Sequence, residues 1–226
     1  PDSITSVGDN AFTNCNSLEF NEYENALYIG NENNPYLILV KAKNVTITKC
    51  TVNDKAVAIC NNAFKDCSDL STLSIPNSVK SIGSYAFYKC SLVSNLNIPE
   101  GVSFIGTKTF YNCSKLNEIH LPASVKNIKE GAFSKCTSLS KITFANNSEL
   151  TGIANLAFNG CEALKSITIP RNVTYIGDVK TQSDEAVFAN CISLETVTFE
   201  EGSKLEKLGN YTFVGCNKLS NISLPS

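Results

Sequence analysis

The chain has 226 residues, is 42% apolar and carries a net charge of -2 from 19 basic and 21 acidic residues. Its basic residues are scattered along the sequence, which argues against nucleic acid and against a polybasic membrane patch as partners. No apolar run approaches the roughly 18 residues of a membrane span, and no charged-then-apolar signal segment opens the chain.

One motif sets the reading frame. Phe-x-x-Cys occurs eight times, at Phe12/Cys15, Phe64/Cys67, Phe87/Cys90, Phe110/Cys113, Phe133/Cys136, Phe158/Cys161, Phe188/Cys191 and Phe213/Cys216. From Cys67 the intervals are 23, 23, 23, 25, 30 and 25 residues. A fixed period of this length means one fold unit used repeatedly, so a single repeat array is expected over residues 1–226.

In chain order, residues 1–8 match residues 76–83 in the middle of a unit, so 1–15 reads as a truncated first unit. The chain therefore looks like a piece of a longer protein, and the absence of any Met agrees. Residues 16–45 interrupt the repeat. Two β-type runs, 26–29 and 36–41, flank a turn-rich segment, 30–35, and predict a hairpin. Its aromatics, Phe20, Tyr23, Tyr28 and Tyr36, suit either of two roles. They could pack the hairpin on the flank of the array, or form a projecting recognition element.

From residue 46 the units run on. After each Cys an apolar residue falls three positions on and two more at six and eight, as in Leu116, Ile119 and Leu121. The last two alternate with polar residues, the period of a half-buried strand. Pro76, Pro99, Pro122, Pro170 and Pro225 follow such strands and end them, since proline cannot donate to a ladder. Val-x-x-Ile-Gly then gives a second, shorter strand, and Ala-Phe-x-x-Cys closes the unit as a single helical or 3-10 turn. Cys50 takes the inward place of Leu73, and Cys60 that of Gly83. The unit containing residues 178–185 is lengthened by a polar loop. Asp178, Asp184 and Glu185 there lack the dense spacing of a calcium loop, so a solvated loop is the simpler reading.

Phe and Cys of each motif, with the Leu, Ile and Val positions, form the expected spine, the thiols acting as small apolar fillers rather than bridges. There is no Cys-x-x-Cys, and the sole histidine is His120, so no metal or other cofactor is expected. A catalytic role is not expected either, because no base stands in phase with a nucleophile. Six Asn-x-Ser/Thr sequons are about what chance gives in this composition.

The consensus Leu-x-x-Ile-x-Ile-Pro-x-x-Val-x-x-Ile-Gly-x-x-Ala-Phe-x-x-Cys resembles the BspA-like leucine-rich repeat, over residues 1–15 and about 46–226. The resemblance implies a right-handed, curved leucine-rich-repeat solenoid with a parallel sheet on its concave side, short second strands and single turns on the other walls. It also implies a cell-surface or secreted location and a non-catalytic role in binding or adhering to host or matrix proteins. A structural spacer within a larger surface protein is the alternative. Outward positions of the long strands form one column, Thr51, Ser74, Asn97, His120, Thr143, Thr168, Thr198 and Ser223, which lacks aromatic and Arg anchors. Tyr88 and Tyr111 hold one phase in consecutive units and are expected to stack. The candidate contact residues are thus Tyr23, Tyr28, Tyr36, Tyr88, Tyr111, Asn97, His120 and Thr143, on a monomer.

Overall fold

The computed structural model describes residues 17–177 and 186–225, with Ile4, Val7, Gly8, Ala11, Phe12 and Cys15 before them. Strands β1 (Asn21–Tyr23), β2 (Ala26–Ile29) and β3 (Ile38–Ala42) come first, and two columns of strands follow. The first column is β4 (Lys49–Thr51), β6 (Thr72–Ser74), β9 (Glu118–Leu121), β11 (Lys141–Phe144), β13 (Ser166–Ile169), β15 (Thr196–Phe199) and β17 (Asn221–Ile222). The second is β5 (Ala58–Ile59), β7 (Ser81–Ile82), β8 (Phe104–Ile105), β10 (Asn127–Ile128), β12 (Gly152–Ile153), β14 (Tyr175–Ile176) and β16 (Lys207–Leu208). Pairing within both columns is parallel, with equivalent residues of successive units opposite each other: Ile119 with Ile142, Ile167 with Val197, Ile128 with Ile153. The molecule is a parallel β-solenoid of leucine-rich repeats.

The alternation read from the sequence explains the first column. In β9 and β13, Ile119, Leu121, Ile167 and Ile169 are buried while Glu118, His120, Ser166 and Thr168 are exposed. The ladder is interrupted between β11 and β13, which do not pair, and at residues 95–97, where a single bridge joins Asn95 to Glu118. Asn-Leu-Asn places two poor strand formers on either side of one apolar residue, which weakens pairing at this rung.

The third wall differs from expectation. No helix, α or 3-10, occurs among the described residues; Ala-Phe-x-x-Cys forms a chain of hydrogen-bonded turns. Ala86, Tyr88 and Cys90 donate their N–H groups three residues back, to Gly83, Tyr85 and Phe87. The alternate residues Tyr85, Phe87 and Lys89 donate instead to Thr107, Thr109 and Tyr111 of the next rung, at 2.8–2.9 Å. A helix would use every N–H within the segment, whereas here every second one joins neighbouring rungs. That geometry needs left-handed residues, and Tyr85 (φ 58°) and Lys89 (φ 60°) supply them, repeated at Lys108 and Asn112. Each non-Gly residue in this conformation costs about 1 to 2 kcal/mol, offset by the inter-rung bonds.

Inside, Phe64, Phe87, Phe110, Phe133, Phe158 and Phe188 are fully buried, and with Phe213 they stack at centroid spacings of 5.3–5.6 Å and interplanar angles of 5–13°. Beside them runs a column of free thiols. From Cys90 onward each donates its S–H to the carbonyl of the Phe one unit earlier: Cys90 to Phe64, Cys113 to Phe87, Cys136 to Phe110, Cys161 to Phe133, Cys191 to Phe158 and Cys216 to Phe188, at 3.0–3.3 Å. These cysteines are therefore more than apolar fillers, because each closes a polar contact between units. Burial pushes the Cys50, Cys60 and Cys136 thiols up to about 12.

The first unit departs from the spine. Phe12 is half-buried and packs on a separate small cluster with Leu37, Ile38, Val40, Ala58 and Cys60, and Cys15 is exposed. The insertion intervenes between this unit and Phe64, so neither residue can reach the column. The 178–185 loop, including Asp178, Asp184 and Glu185, lies outside the described residues.

Candidate protein-contact surfaces

The 16–45 insertion contains the expected hairpin and one strand more. β1 and β2 pair around a tight turn at Glu24 and Asn25, both with positive φ, and β2 pairs antiparallel with β3. β3 then pairs in parallel with β5, so its Ile38 and Leu39 lie opposite Ala58 and Ile59. The insertion thus supplies a rung of the second column rather than projecting from it. Its tyrosines cluster edge to face, with Tyr28 5.6 Å from Tyr36 and 6.4 Å from Tyr23. Tyr28 is fully buried, and its hydroxyl accepts the Asn53 N–H at 3.2 Å. As a contact residue Tyr28 is ruled out, since it has no surface to offer. Tyr23 and Tyr36 are half-buried against the same core.

The long-strand face brings Asn97, His120 and Thr143 together. His120 Nδ1 lies 2.9 Å from Thr143 Oγ1, and beside them Lys141 is 3.8 Å from Glu118. Where the ladder breaks at 95–97 a shallow depression of about 400 Å³ opens, rimmed by these residues and Asn95 and floored by Leu73 and Leu96. Both leucines are half-buried, although their counterparts Ile119, Ile142, Ile167 and Val197 are buried. The face is polar apart from this floor, and it offers one weak anchor.

The turn wall is richer. Tyr88 and Tyr111 stack at 4.9 Å and 10°, and Tyr85 tilts against Tyr88 at 5.7 Å. All three are half-buried. Because the rings stack along the array, their edges and hydroxyls face outward. Lys65 and Lys89 lie 5.8 and 5.4 Å from the Tyr88 centroid, Lys135 5.5 Å from Tyr111, and Lys108 6.0 Å from Tyr85. Contact with the Tyr111 hydroxyl raises the Lys135 ammonium above its ordinary range, so it stays charged. Sequence reading missed these lysines because residues 19 to 70 apart look scattered until the units are stacked; the shared phase of Lys89 and Lys135, one residue before Cys, was the available signal.

The spine thiols face main-chain carbonyls, on the opposite side of the strands from the imidazole of His120. Among the described residues no group of three or more His, Cys, Asp or Glu side chains could hold a metal, and no helix is long and apolar enough to cross a membrane.

A family model described as "BspA type Leucine rich repeat region" matches six copies over residues 1–34, 42–149 and 147–226. Among solved structures, the T. pallidum leucine-rich repeat protein is 26% identical, with a TM-score of 0.70 over 81% of this chain and 82% of its own. The pneumococcal vaccine antigen PcpA is 24% identical over 69% of this chain and 31% of its own, with a TM-score of 0.41. A leucine-rich cell surface protein from Faecalibacterium prausnitzii is 20% identical over 92% of this chain and 95% of its own, with a TM-score of 0.39. No curated protein matches significantly. With family repeats matched along nearly the whole chain and a parallel solenoid beneath them, this chain belongs to the BspA-type leucine-rich-repeat family.

Proposed function

We propose that this chain is a non-catalytic, extracellular protein-binding module that attaches a cell surface to host or matrix proteins, and that the turn wall is its contact face. The observation that carries the reading is the row Tyr85, Tyr88 and Tyr111. The core already has its own Phe column, so the fold does not need a second aromatic row at the surface. Tyrosines are the residues that most often anchor protein interfaces, combining apolar area with a polar tip. The family's occurrence among bacterial surface proteins supports the location. The long-strand depression with Asn97, His120 and Thr143 would add a secondary contact.

The test is retention of purified matrix and host-surface proteins on the immobilised chain, monomeric by light scattering, compared with Tyr88→Ser/Tyr111→Ser. Loss of two anchors of about 1 to 2 kcal/mol each should weaken binding about thirtyfold or more. Equal retention by the variant would remove the turn wall from the interface. Retention of no protein would sink the binding reading in favour of a spacer that positions another domain, a role the uninterrupted Phe stack also suits.

A further inference from the structure

The backbones of the lysines around the tyrosine row help build the turns, Lys89, Lys108 and Lys135 by their left-handed conformation and inter-rung N–H groups, but their ammonium groups have no such structural task. Lys65, Lys89 and Lys135 are exposed and, among the described residues, form no ion pair; Lys108 reaches Glu130 only at 4.0 Å. Their ammoniums stand over ring faces, which steadies them without neutralising them. The tyrosine edges between them carry the positive end of the ring quadrupole and end in hydroxyls that can donate. Apart from the carboxylates Asp66 and Glu130, the charged and aromatic groups gathered around this row therefore favour an anion.

From this we infer that the turn wall binds an acidic, extended segment of a protein partner, with carboxylates about three residues apart. The inference rests on the protein-binding reading and names its partner class. The spacing follows from the stacking. Lys89 and Lys135 share one phase two units apart, hence roughly 10 Å along the array, the span of three residues of extended chain. The two carboxylates decide against a densely sulfated polysaccharide. Asp66 directly follows Lys65, and Glu130 sits at Lys108, so a closely charged polymer would meet repulsion between its favourable contacts. A sparse acidic peptide can place its charges on the lysines and its apolar stems on the tyrosine edges. The wall carries no arginine either, and so no bidentate fork of the kind suited to sulfate or phosphate.

The probe is a peptide of repeated Glu-Gly-Ser, with heparin in parallel, measured by tyrosine fluorescence or calorimetry on the intact chain and on Lys89→Gln/Lys135→Gln. The substituted lysines are exposed, and an unchanged thermal melt shows that the variant is folded. The peptide should bind the parent chain, weaken about tenfold between roughly 0.05 and 0.5 M salt, and weaken about tenfold in the variant. Binding that ignores both changes, no binding of the peptide, or tighter binding of heparin overturns the inference. If a matrix protein is retained and lost with Tyr88→Ser/Tyr111→Ser yet is indifferent to salt and to the lysine variant, acidic recognition fails while the protein-binding reading stands. If the peptide binds as described and no matrix protein does, the acidic specificity stands and the matrix reading falls.

Discussion

Truncating Phe133 to Ala tests the spine most directly. The ring is fully buried and is stacked on both sides, 5.3 Å from Phe110 and 5.4 Å from Phe158. Removing a buried Phe costs about 3 to 5 kcal/mol, through lost transfer energy and the cavity left behind. For a chain of this length each kcal/mol lowers Tm by about 2 to 4 °C, so a fall of roughly 6 to 20 °C is expected. Phe213 provides the internal control. It stacks on one side only, 5.6 Å from Phe188, and is half-buried, so Phe213→Ala should cost no more than about half as much. Calorimetry of both variants checks the pair. Equal shifts, or a larger one for Phe213→Ala, would show that the column does not couple units as described.

Thiol titration under native conditions should count Cys15, and Cys216 more slowly; the eight buried cysteines should react only after denaturation. Their folded-state values lie above the ordinary 9.0, with Cys50, Cys60 and Cys136 pushed up to about 12. The unfolded chain therefore releases these protons first, so stability is intact below about pH 9 and falls between there and about pH 12, which pH-dependent melts would detect. A flat profile across that window would refute it. On the second column, Gly152→Ala would drive a methyl group into the ring of Tyr175, whose hydroxyl donates to Asn127 Oδ1 at 2.9 Å. A loss of about 1 to 3 kcal/mol is expected, reduced when Tyr175→Ser is combined with it, and additive losses would contradict the contact.

How much of this was legible in the residues varies with the kind of signal. Repeated inward positions such as Ile119, Ile142 and Ile167 carry the strand phase in their alternation, and registers follow because equivalent residues stack. Phe-x-x-Cys suggested a helical turn, since three-residue spacing is shared by helices and by chained turns. What separates them is where the N–H groups of Tyr85 and Lys89 go, which depends on the neighbouring rung and on no local pattern. The first unit failed for a similar reason: Phe12 has the motif but, with β1–β3 intervening, not the neighbour. In the candidate site, the Tyr88–Tyr111 stack was readable from phase, whereas the choice between packing and projection for Tyr28 stayed open because nothing in the hairpin's own sequence reveals that β3 would join β5.

The thiol–carbonyl bonds and the alternating N–H groups of the turn wall bind each unit to its immediate neighbours along the array. Pulled from the ends, such a structure should yield first where its strand ladder is interrupted, at residues 95–97 and between β11 and β13, and elsewhere has no single seam to break. It should peel one coil at a time, each coil releasing about 23 residues of slack at a similar force. A protein holding a cell against flow would gain a shock absorber from this, yielding in small steps where a single cooperative core would let go at once.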